Sequence, residues 1–147
     1  MPSITVQPLA RRDRGAWQSL FAAYIAFYGR NLKPGTYDHA WTELQARQRM
    51  HALGARWDGC LVGIAHFLAH PSTSADDVCY LQDLYTEPTV RGQGVGRALI
   101  AAATEWARDR GCSRVYWSTH ETNAVARRLY DTGGQYRGFI RYEIPLD

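Results

Sequence analysis

The sequence predicts an α/β protein built on a mixed, mostly antiparallel β-sheet. Three observations support this class. Two strand-like runs meet at Asp58-Gly59, a dipeptide typical of tight hairpin turns. A β-prone segment at 80–85 leads through a glycine-rich turn into an amphipathic helix, and another strand-like run begins at Val115. A strand, helix and strand in this order predict a parallel pair, because such a crossover returns the chain in the same direction.

The first half of the chain is predicted to contribute one strand, two helices and the hairpin. The opening run alternates apolar and polar residues until a proline interrupts it. In the helix that follows, apolar side chains recur every three or four residues, and Asp13 is a suitable N-cap. The predicted elements are a strand from Ile4 to Leu9, helices from Asp13 to about Gly29 and from Tyr37 to about Gln48, and strands at 52–57 and 60–70.

The second half is predicted to complete the sheet and add two helices. The predicted elements are a strand at 80–85, a long helix from Val95, a buried strand from Val115, a short helix capped by Thr122 or Asn123, and a last strand at 139–144. The chain of 147 residues shows no internal repeat and no linker. Its length is that of one ordinary domain, so residues 1–147 are expected to fold as a single domain.

The glycine-rich turn predicts a binding site for a phosphate group. It joins a strand to a helix, and the first-turn N–H groups of a helix lack intrahelical partners and attract anions. Glycines let this backbone approach an anion without a Cβ in the way. The turn consists of Arg91, Gly92, Gln93, Gly94, Val95, Gly96 and Arg97. The alternative interpretation of these residues is a tight connection that binds no ligand.

Two common phosphate-binding motifs are excluded by the spacing. A P-loop ends in Gly-Lys-Ser or Gly-Lys-Thr, and the single lysine of this chain, Lys33, lies far from the turn. The dinucleotide fingerprint requires a third glycine five positions after the first. Counted from Gly92, that position is occupied by Arg97, so the fingerprint is absent. The remaining pattern, Arg-x-x-Gly-x-Gly from Arg91 to Gly96, therefore needs another explanation.

This pattern resembles the pyrophosphate-binding turn of the Gcn5-related N-acetyltransferase (GNAT) family. A second block, Tyr-Trp-x-Thr-x-Glu-x-Asn followed by Leu-Tyr, runs from Tyr116 to Tyr130 and is similar to the yeast histone-acetyltransferase-like branch of that family. The segment Leu81–Tyr85 resembles the diamine acetyltransferases. The resemblance implies the GNAT fold: a mixed sheet of six to seven strands with a splayed parallel pair, flanked by about four helices.

The resemblance also implies acetyl-CoA as co-substrate and assigns residues to it. The pantetheine arm would occupy the gap between the splayed strands, where backbone N–H groups polarise the thioester carbonyl. The implied coenzyme contacts are Leu84, Tyr85, Thr86, Arg91, Gly92, Gln93, Gly94, Val95, Gly96, Arg97, Asn123 and Tyr130. Tyr130 is further implied to protonate the leaving thiolate, since a phenol is protonated at neutral pH. The alternative for Tyr130 is a tyrosine packed in the core beside Leu129.

The general base is not fixed by the sequence. The resembling diamine acetyltransferases carry glutamate where this chain has Gln82, and glutamine cannot accept a proton. Asp83 is the neighbouring carboxylate, but a strand period of two would place it on the opposite face from Gln82, pointing into or behind the sheet. A structural hydrogen bond near the strand end is an equal alternative for Asp83. Other possibilities are Glu87, His120, Glu121, or a base acting through water.

The acceptor is expected to be the primary amine of a small molecule such as a polyamine or amino acid. In the family the first two helices form the acceptor wall, and here that region is rich in aromatic residues but contains only two carboxylates. The predicted substrate contacts are Tyr28, Tyr37, Gln82 and Glu121. The alternatives are a histone-type lysine acetyltransferase, a coenzyme A-binding sensor without turnover, and a nucleotide-binding module.

Composition and charge limit the remaining classes of function. A net charge of +3 without a dense basic stripe argues against nucleic-acid binding. Three cysteines without metal-ligand spacing predict neither a disulfide framework nor a metal site, and free thiols favour the cytoplasm. The start of the chain lacks the pattern of a signal peptide, and no apolar run is long enough to span a membrane.

The resemblance also implies a homodimer. Dimers in the family often form through the C-terminal strands, and Phe139, Ile140 and Tyr142 of the predicted last strand are candidates for such an interface.

Overall fold

The computed structural model describes residues 3–146. Met1, Pro2 and Asp147 lie outside the described residues, so the expectation about a signal peptide falls partly outside them as well. Internal contacts divide the chain into two units, Met1–Trp117 and Ser118–Asp147, each of which is described by itself.

The first unit contains the whole sheet. Its elements are β1 (Ile4–Pro8), α1 (Arg14–Phe27), α2 (Pro34–Ala46), β2 (His51–Trp57), β3 (Cys60–His70), β4 (Val78–Thr86), α3 (Val95–Asp109) and β5 (Val115–Tyr116). The strands lie in chain order across the sheet. Neighbouring strands are antiparallel except β4 and β5, which are parallel. The predicted α/β class with a mixed, mostly antiparallel sheet is confirmed.

The hairpin between β2 and β3 forms where the sequence predicts it. Trp57 pairs with Cys60, which leaves a two-residue loop. Asp58 has a φ of 48° and Gly59 a φ of 89°. Two successive left-handed residues suit the twist of antiparallel strands, and Asp and Gly tolerate that conformation well.

Each face of the sheet carries its own apolar core. On one face α3 packs its buried residues, which include Val95 and Leu99, against side chains of β3 and β4. On the other face α1 and α2 enclose a core that includes Trp17 and Trp41. Gly63 on β3 permits the close approach of α3, because a Cβ there would lie 2.8 Å from Val95 Cγ1 and 3.0 Å from Leu99 Cδ1. The start of α3, and with it the glycine-rich turn, is therefore fixed against the sheet.

Asp13 does not cap α1 through its side chain, contrary to the prediction. Its Oδ2 accepts the Ala10 N–H at 2.7 Å, and its Oδ1 accepts a hydrogen bond from Arg56 Nη2 at 2.6 Å. Burial alone would raise the pKa of Asp13, but the hydrogen bonds and the charge of Arg56 outweigh it and lower the pKa. The carboxylate therefore ties the start of α1 to β2 instead of capping the helix.

The second helix begins earlier than predicted. It starts at Pro34 rather than Tyr37, because proline is favoured in the first helical turn, where its missing N–H has no partner to lose. It ends at Ala46, and Arg47 follows with a φ of 56° as a left-handed C-cap.

The sheet is smaller than the predicted six to seven strands. Five strands form within residues 3–146. The predicted buried strand from Val115 is only two residues long, and Tyr116 remains 38% exposed. The predicted strand at 139–144 is wrong, because residues 135–146 form neither helix nor strand. An alternating sequence becomes a strand only when a neighbouring strand pairs with it.

The second unit is built around one helix. α4 (Ala124–Gly133) begins at Asn123, whose Oδ1 accepts a first-turn N–H at 3.3 Å, so that of the two predicted caps Asn123 is the one used. The helix ends at the predicted glycine pair. Beyond it the apolar side chains are exposed; they are Tyr136, Phe139, Ile140, Tyr142, Ile144 and Leu146.

Candidate active site

The glycine-rich turn forms an open cradle of backbone donors at the start of α3. Gly92 has a φ of 77° and Gly94 a φ of 93°, both in the left-handed region that favours glycine. Gly94 is the N-cap, and the first helical bond runs from Ala98 N–H to Gly94 O at 3.0 Å. The N–H groups of residues 95–97 therefore precede the helical ladder. A Cβ built on Gly92 or Gly94 meets no atom within 4 Å, so the space above the turn is open.

Arg91 is held at the entrance of this cradle. Its Nε donates to Thr86 O at 3.1 Å, and its guanidinium lies 5.3 Å from the centre of the Tyr85 ring. Arg97 is exposed on the first turn of α3. A concave row of N–H groups flanked by two arginines fits a diphosphate such as that of coenzyme A.

The edge of β4 that leads into the turn is open. Within residues 3–146, β4 pairs with β5 at Cys79 and Tyr80, where the two-residue strand β5 ends, and the predicted splay of the parallel pair stays a prediction. The Glu87 N–H donates to Val62 O on β3 at 2.8 Å. Because N–H groups alternate in direction along a strand, those of Thr86 and Leu84 point away from β3 to the open edge, and that of Tyr85 points towards β3. The open edge thus offers backbone donors for a ligand that runs alongside β4.

A β-bulge at Gln82 overturns the expected orientation of Asp83. Asp83 pairs with His66 and Leu81 with Phe67, which leaves Gln82 without a partner on β3. The extra residue breaks the period of two on which the expectation rested. Asp83 consequently faces the α1 side of the sheet, where it bonds His66, while Gln82 is exposed.

Asp83 ends a buried chain of hydrogen bonds, as the structural alternative for this residue expected, but its partners His66 and Trp17 were not predicted. Its Oδ2 lies 2.9 Å from His66 Nδ1, and Trp17 Nε1 donates to His66 Nε2 at 2.9 Å. Trp17 is 0% and His66 2% exposed. Because the indole can only donate, Nε2 accepts, and Nδ1 carries the proton that it gives to the carboxylate. The available signal was a histidine within the apolar strand 60–70, where a polar side chain requires buried partners.

A cluster of aromatic side chains from the C-terminal end of α1 and from β4 lies close to Asp83. We call Tyr24, Phe27, Tyr28 and Tyr85 the aromatic wall. Tyr28 lies 5.1 Å from Tyr24 and 5.2 Å from Phe27 between ring centres, and Tyr24 lies 6.0 Å from Tyr85. Burial raises the pKa of Tyr28, a hydrogen bond with Tyr24 opposes this, and the negative charge of Asp83 raises it further. Tyr28 therefore stays protonated beside the carboxylate.

Other predicted site residues lie elsewhere in the first unit. Tyr37 is 8% exposed and packs edge-on against Phe21 in the α1 and α2 core, 5.9 Å between ring centres. Glu87 Oε2 accepts hydrogen bonds from the backbone and the hydroxyl of Thr89, so this alternative base already serves the turn. Cys79 is fully buried, and burial raises its pKa to about 11, so it is not a ready nucleophile.

The second unit holds the remaining predicted residues around α4. Arg127 Nη1 donates to Glu121 O at 2.9 Å, which orders the segment before Asn123. Tyr130 is half-buried on α4. The Thr119 hydroxyl is a buried group without a hydrogen-bond partner in the described structure, and it was not among the predicted residues.

The described part of the chain lacks two kinds of feature. Residues 3–146 contain no group of three or more His, Cys, Asp or Glu side chains arranged to hold a metal ion. None of the helices in the same range has the length and hydropathy needed to cross a membrane.

Comparison with known proteins supplies the family context. A sequence model described as the acetyltransferase (GNAT) family matches residues 17–134. The D-amino-acid N-acetyltransferase HPA3 of Saccharomyces cerevisiae is 30% identical over 131 residues, which cover 86% of this chain and 81% of that enzyme. The thialysine N-epsilon-acetyltransferase of Sus scrofa is 36% identical over 83 residues, 56% of this chain and 49% of that enzyme.

A solved structure gives the same fold. The aminoglycoside N-acetyltransferase AAC(6')-Iy in complex with CoA superimposes with a TM-score of 0.86. The alignment covers 99% of this chain and 96% of that one, at 17% sequence identity.

Proposed function

Because the chain belongs to the GNAT family of acetyltransferases, we propose that this acetyl-CoA-dependent N-acetyltransferase acts on the primary amine of a small molecule. One observation carries the proposal. β4 leads into the anion cradle at Gly92 and Gly94, and the same strand holds an open edge of backbone donors and the carboxylate of Asp83. Coenzyme binding and amine binding are thus provided by one continuous segment of chain.

Different residues of this segment are proposed to bind the coenzyme and to polarise the thioester carbonyl. Bound acetyl-CoA supplies an acetyl group as an activated thioester. The N–H groups of residues 95–97 and the arginines of the turn hold its diphosphate. One of the open-edge N–H groups, that of Leu84 or that of Thr86, donates to the thioester oxygen as negative charge develops there. Transfer is proposed to be direct, and burial, which raises the pKa of the Cys79 thiol to about 11, argues against an acyl-enzyme at that residue.

Asp83 is proposed to bind the amine and to accept its proton. An alkyl ammonium has a pKa of about 10.4 and must lose a proton before it can attack a carbonyl. Asp83 is the carboxylate that faces the aromatic wall, whose faces suit a cation or an apolar body. The names of the relatives, which act on D-amino acids and thialysine, support a small amine as acceptor.

A thiol-release screen tests the function. The chain and acetyl-CoA would be incubated with amino acids of both configurations, thialysine, polyamines, aminoglycosides and lysine peptides, and free coenzyme A would be measured. Release that depends on a small amine supports the proposal, and release with peptides alone would favour the histone-type alternative. Coenzyme binding without release from any amine would favour the sensor. Binding of ATP in competition with coenzyme A would favour a nucleotide-binding module.

Replacing Tyr130 with phenylalanine is expected to lower kcat about tenfold or more. We propose that the phenol protonates the departing thiolate, a role that phenylalanine cannot fill although it keeps the ring. The measurement is the steady-state rate of thiol release at saturating acetyl-CoA and amine. Tyr136→Phe, which removes a phenol from an exposed ring in the same unit, is the matched control and should leave kcat unchanged. Equal kcat values for both variants would remove Tyr130 from the mechanism.

A second copy of the chain is proposed to cover the exposed apolar side chains beyond α4. Phe139 is 84%, Ile140 71% and Tyr142 86% exposed, an unusual concentration for side chains of this kind. Light scattering is expected to report twice the mass of the chain, and the double variant Ile140→Asp with Tyr142→Asp to report the single mass. A monomeric wild type would contradict the dimer.

A cytoplasmic location is proposed as well. The three cysteines, Cys60, Cys79 and Cys112, are all free thiols, which supports a reducing compartment such as the cytoplasm.

A single acetyltransferase domain over residues 1–147 is also proposed. It is supported by the family match, which runs from the first unit into the second. One cooperative thermal transition seen by two probes would agree with a single domain, and two separate transitions would not.

A further inference from the structure

We propose that His66 and Trp17 are positioning residues that orient the Asp83 carboxylate towards the acceptor amine, an inference that rests on the proposed function. Neither residue belongs to the turn or to the open edge of β4. They act through Asp83, because the chain of hydrogen bonds runs from Trp17 through His66 to one oxygen of that carboxylate.

The first step is the fixed state of the imidazole. The Trp17 indole is a donor only, and it points at His66 Nε2 from a distance of 2.9 Å. A proton on Nε2 would set two donors against each other inside the core. The indole therefore makes Nε2 the acceptor and places the donor of the imidazole at Nδ1, and the ring cannot flip by 180° without losing both bonds.

The second step is the rigidity of this arrangement. The His66 ring lies edge-on to Phe21 at 4.9 Å between centres, and Trp17 packs at a tilt against Trp41 at 5.0 Å. Both hydrogen-bonded rings are almost completely buried, so packing leaves them no alternative position. The Nδ1–H group is consequently a fixed donor, whose direction is set by the core between α1 and the sheet.

The third step concerns the carboxylate. His66 engages Oδ2 of Asp83, which assigns Oδ1 to the amine. Asp83 follows the bulge at Gln82, where the ladder between β3 and β4 is interrupted and the backbone alone defines the side chain less well. The hydrogen bond from His66 compensates for this, and it holds the carboxylate beside the aromatic wall. General-base catalysis depends on such placement, since a misplacement of about 1 Å costs about a hundredfold in rate.

Two substitutions at His66 separate positioning from packing. Asparagine places an amide N–H near the position of Nδ1, and leucine fills the space without any donor. We expect His66→Leu to lower kcat about a hundredfold and His66→Asn to stay within about fivefold of wild type. Neither variant should change the Kd for acetyl-CoA measured by calorimetry. Thermal melts check folding, and Trp17→Phe, which removes only the far end of the chain, is expected to lower kcat several-fold.

Nitrogen NMR of the histidine rings gives a readout that does not depend on activity. Wild-type His66 should show a protonated Nδ1 and a bare Nε2, and Trp17→Phe should show a mixture of both tautomers. A wild-type His66 with its proton on Nε2 would overturn the proposal. A folded His66→Leu variant with wild-type kcat would overturn the positioning role alone, whereas a wild-type chain inactive towards every amine would overturn the proposed function itself.

Discussion

Replacing Gly94 with aspartate is expected to raise the Kd for acetyl-CoA about a hundredfold, while kcat at saturating coenzyme changes little. Gly94 is the N-cap of α3 and sits in the floor of the anion cradle. A carboxylate there would lie within a few ångströms of the diphosphate, where repulsion costs about 3 kcal/mol, or about a hundredfold in Kd. The effect falls on binding because the turn contacts the coenzyme at a distance from the reacting carbonyl.

Gly94→Asn is the matched control for this substitution. Asparagine has the shape of aspartate and tolerates the left-handed conformation about as well, so the two variants share any backbone strain at the φ of 93°. We expect the asparagine variant to bind acetyl-CoA within a few-fold of wild type, because backbone strain at this position is present with and without the coenzyme. The gap between the variants should shrink as salt is raised, because the repulsion is exposed to solvent. Equal Kd values for the two variants would show that the coenzyme diphosphate lies elsewhere.

The glycine-rich turn was predictable because its function depends on the backbone. Gly92 and Gly94 have positive φ angles, which glycine adopts readily and most other residues do not. The glycines in the sequence therefore predict the backbone conformation of the turn. The same reason explains the success at Asp58-Gly59, where the turn residues prescribe the hairpin. Local conformational requirements of this kind can be identified from a single sequence.

The orientation of Asp83 was not predictable, because it depends on a defect in the pairing of two strands. The residues of the segment 80–85 carry no sequence signal for a bulge that leaves Gln82 without a partner on β3. The bulge arises from how β4 and β3 fit over the cores on both faces, which is a property of the packed protein. For the same reason the contact of Asp83 with His66, 17 residues earlier, could not be seen in the sequence.

The strand predicted near the end of the chain failed for a different reason. The local sequence pattern was present, but within the described residues the neighbouring strand that it would need for pairing was not. Residues 139–144 contain alternating apolar side chains, and the prediction treated this as sufficient for a strand. Strand formation also requires a neighbour with free N–H and C=O groups. In the described structure these residues have no such pairing, and their apolar side chains stay exposed. Alternation therefore identifies a segment capable of pairing, but it does not identify the partner.

Replacing Asp83 with asparagine is expected to lower kcat by about a hundredfold to ten-thousandfold, the range for loss of a general base. Asparagine is isosteric, and its carbonyl oxygen can still accept the hydrogen bond from His66, so the core and the aromatic wall should be preserved. The negative charge and the ability to take a proton are removed. The Kd for acetyl-CoA should stay within about twofold of wild type, since Asp83 faces the α1 side of the sheet rather than the turn.

The pH dependence of the Asp83→Asn variant separates a base from a residue that merely binds the amine. Without a base the enzyme must capture amine that is already neutral, a fraction that rises tenfold per pH unit below a pKa of about 10.4. The kcat/KM of the variant should therefore climb with pH and approach wild type in alkaline solution. A higher KM for the amine with unchanged kcat would instead assign Asp83 to recognition alone. Glu87→Gln, His120→Asn and Glu121→Gln complete the comparison, because a larger loss in any of them would transfer the role of base to that residue.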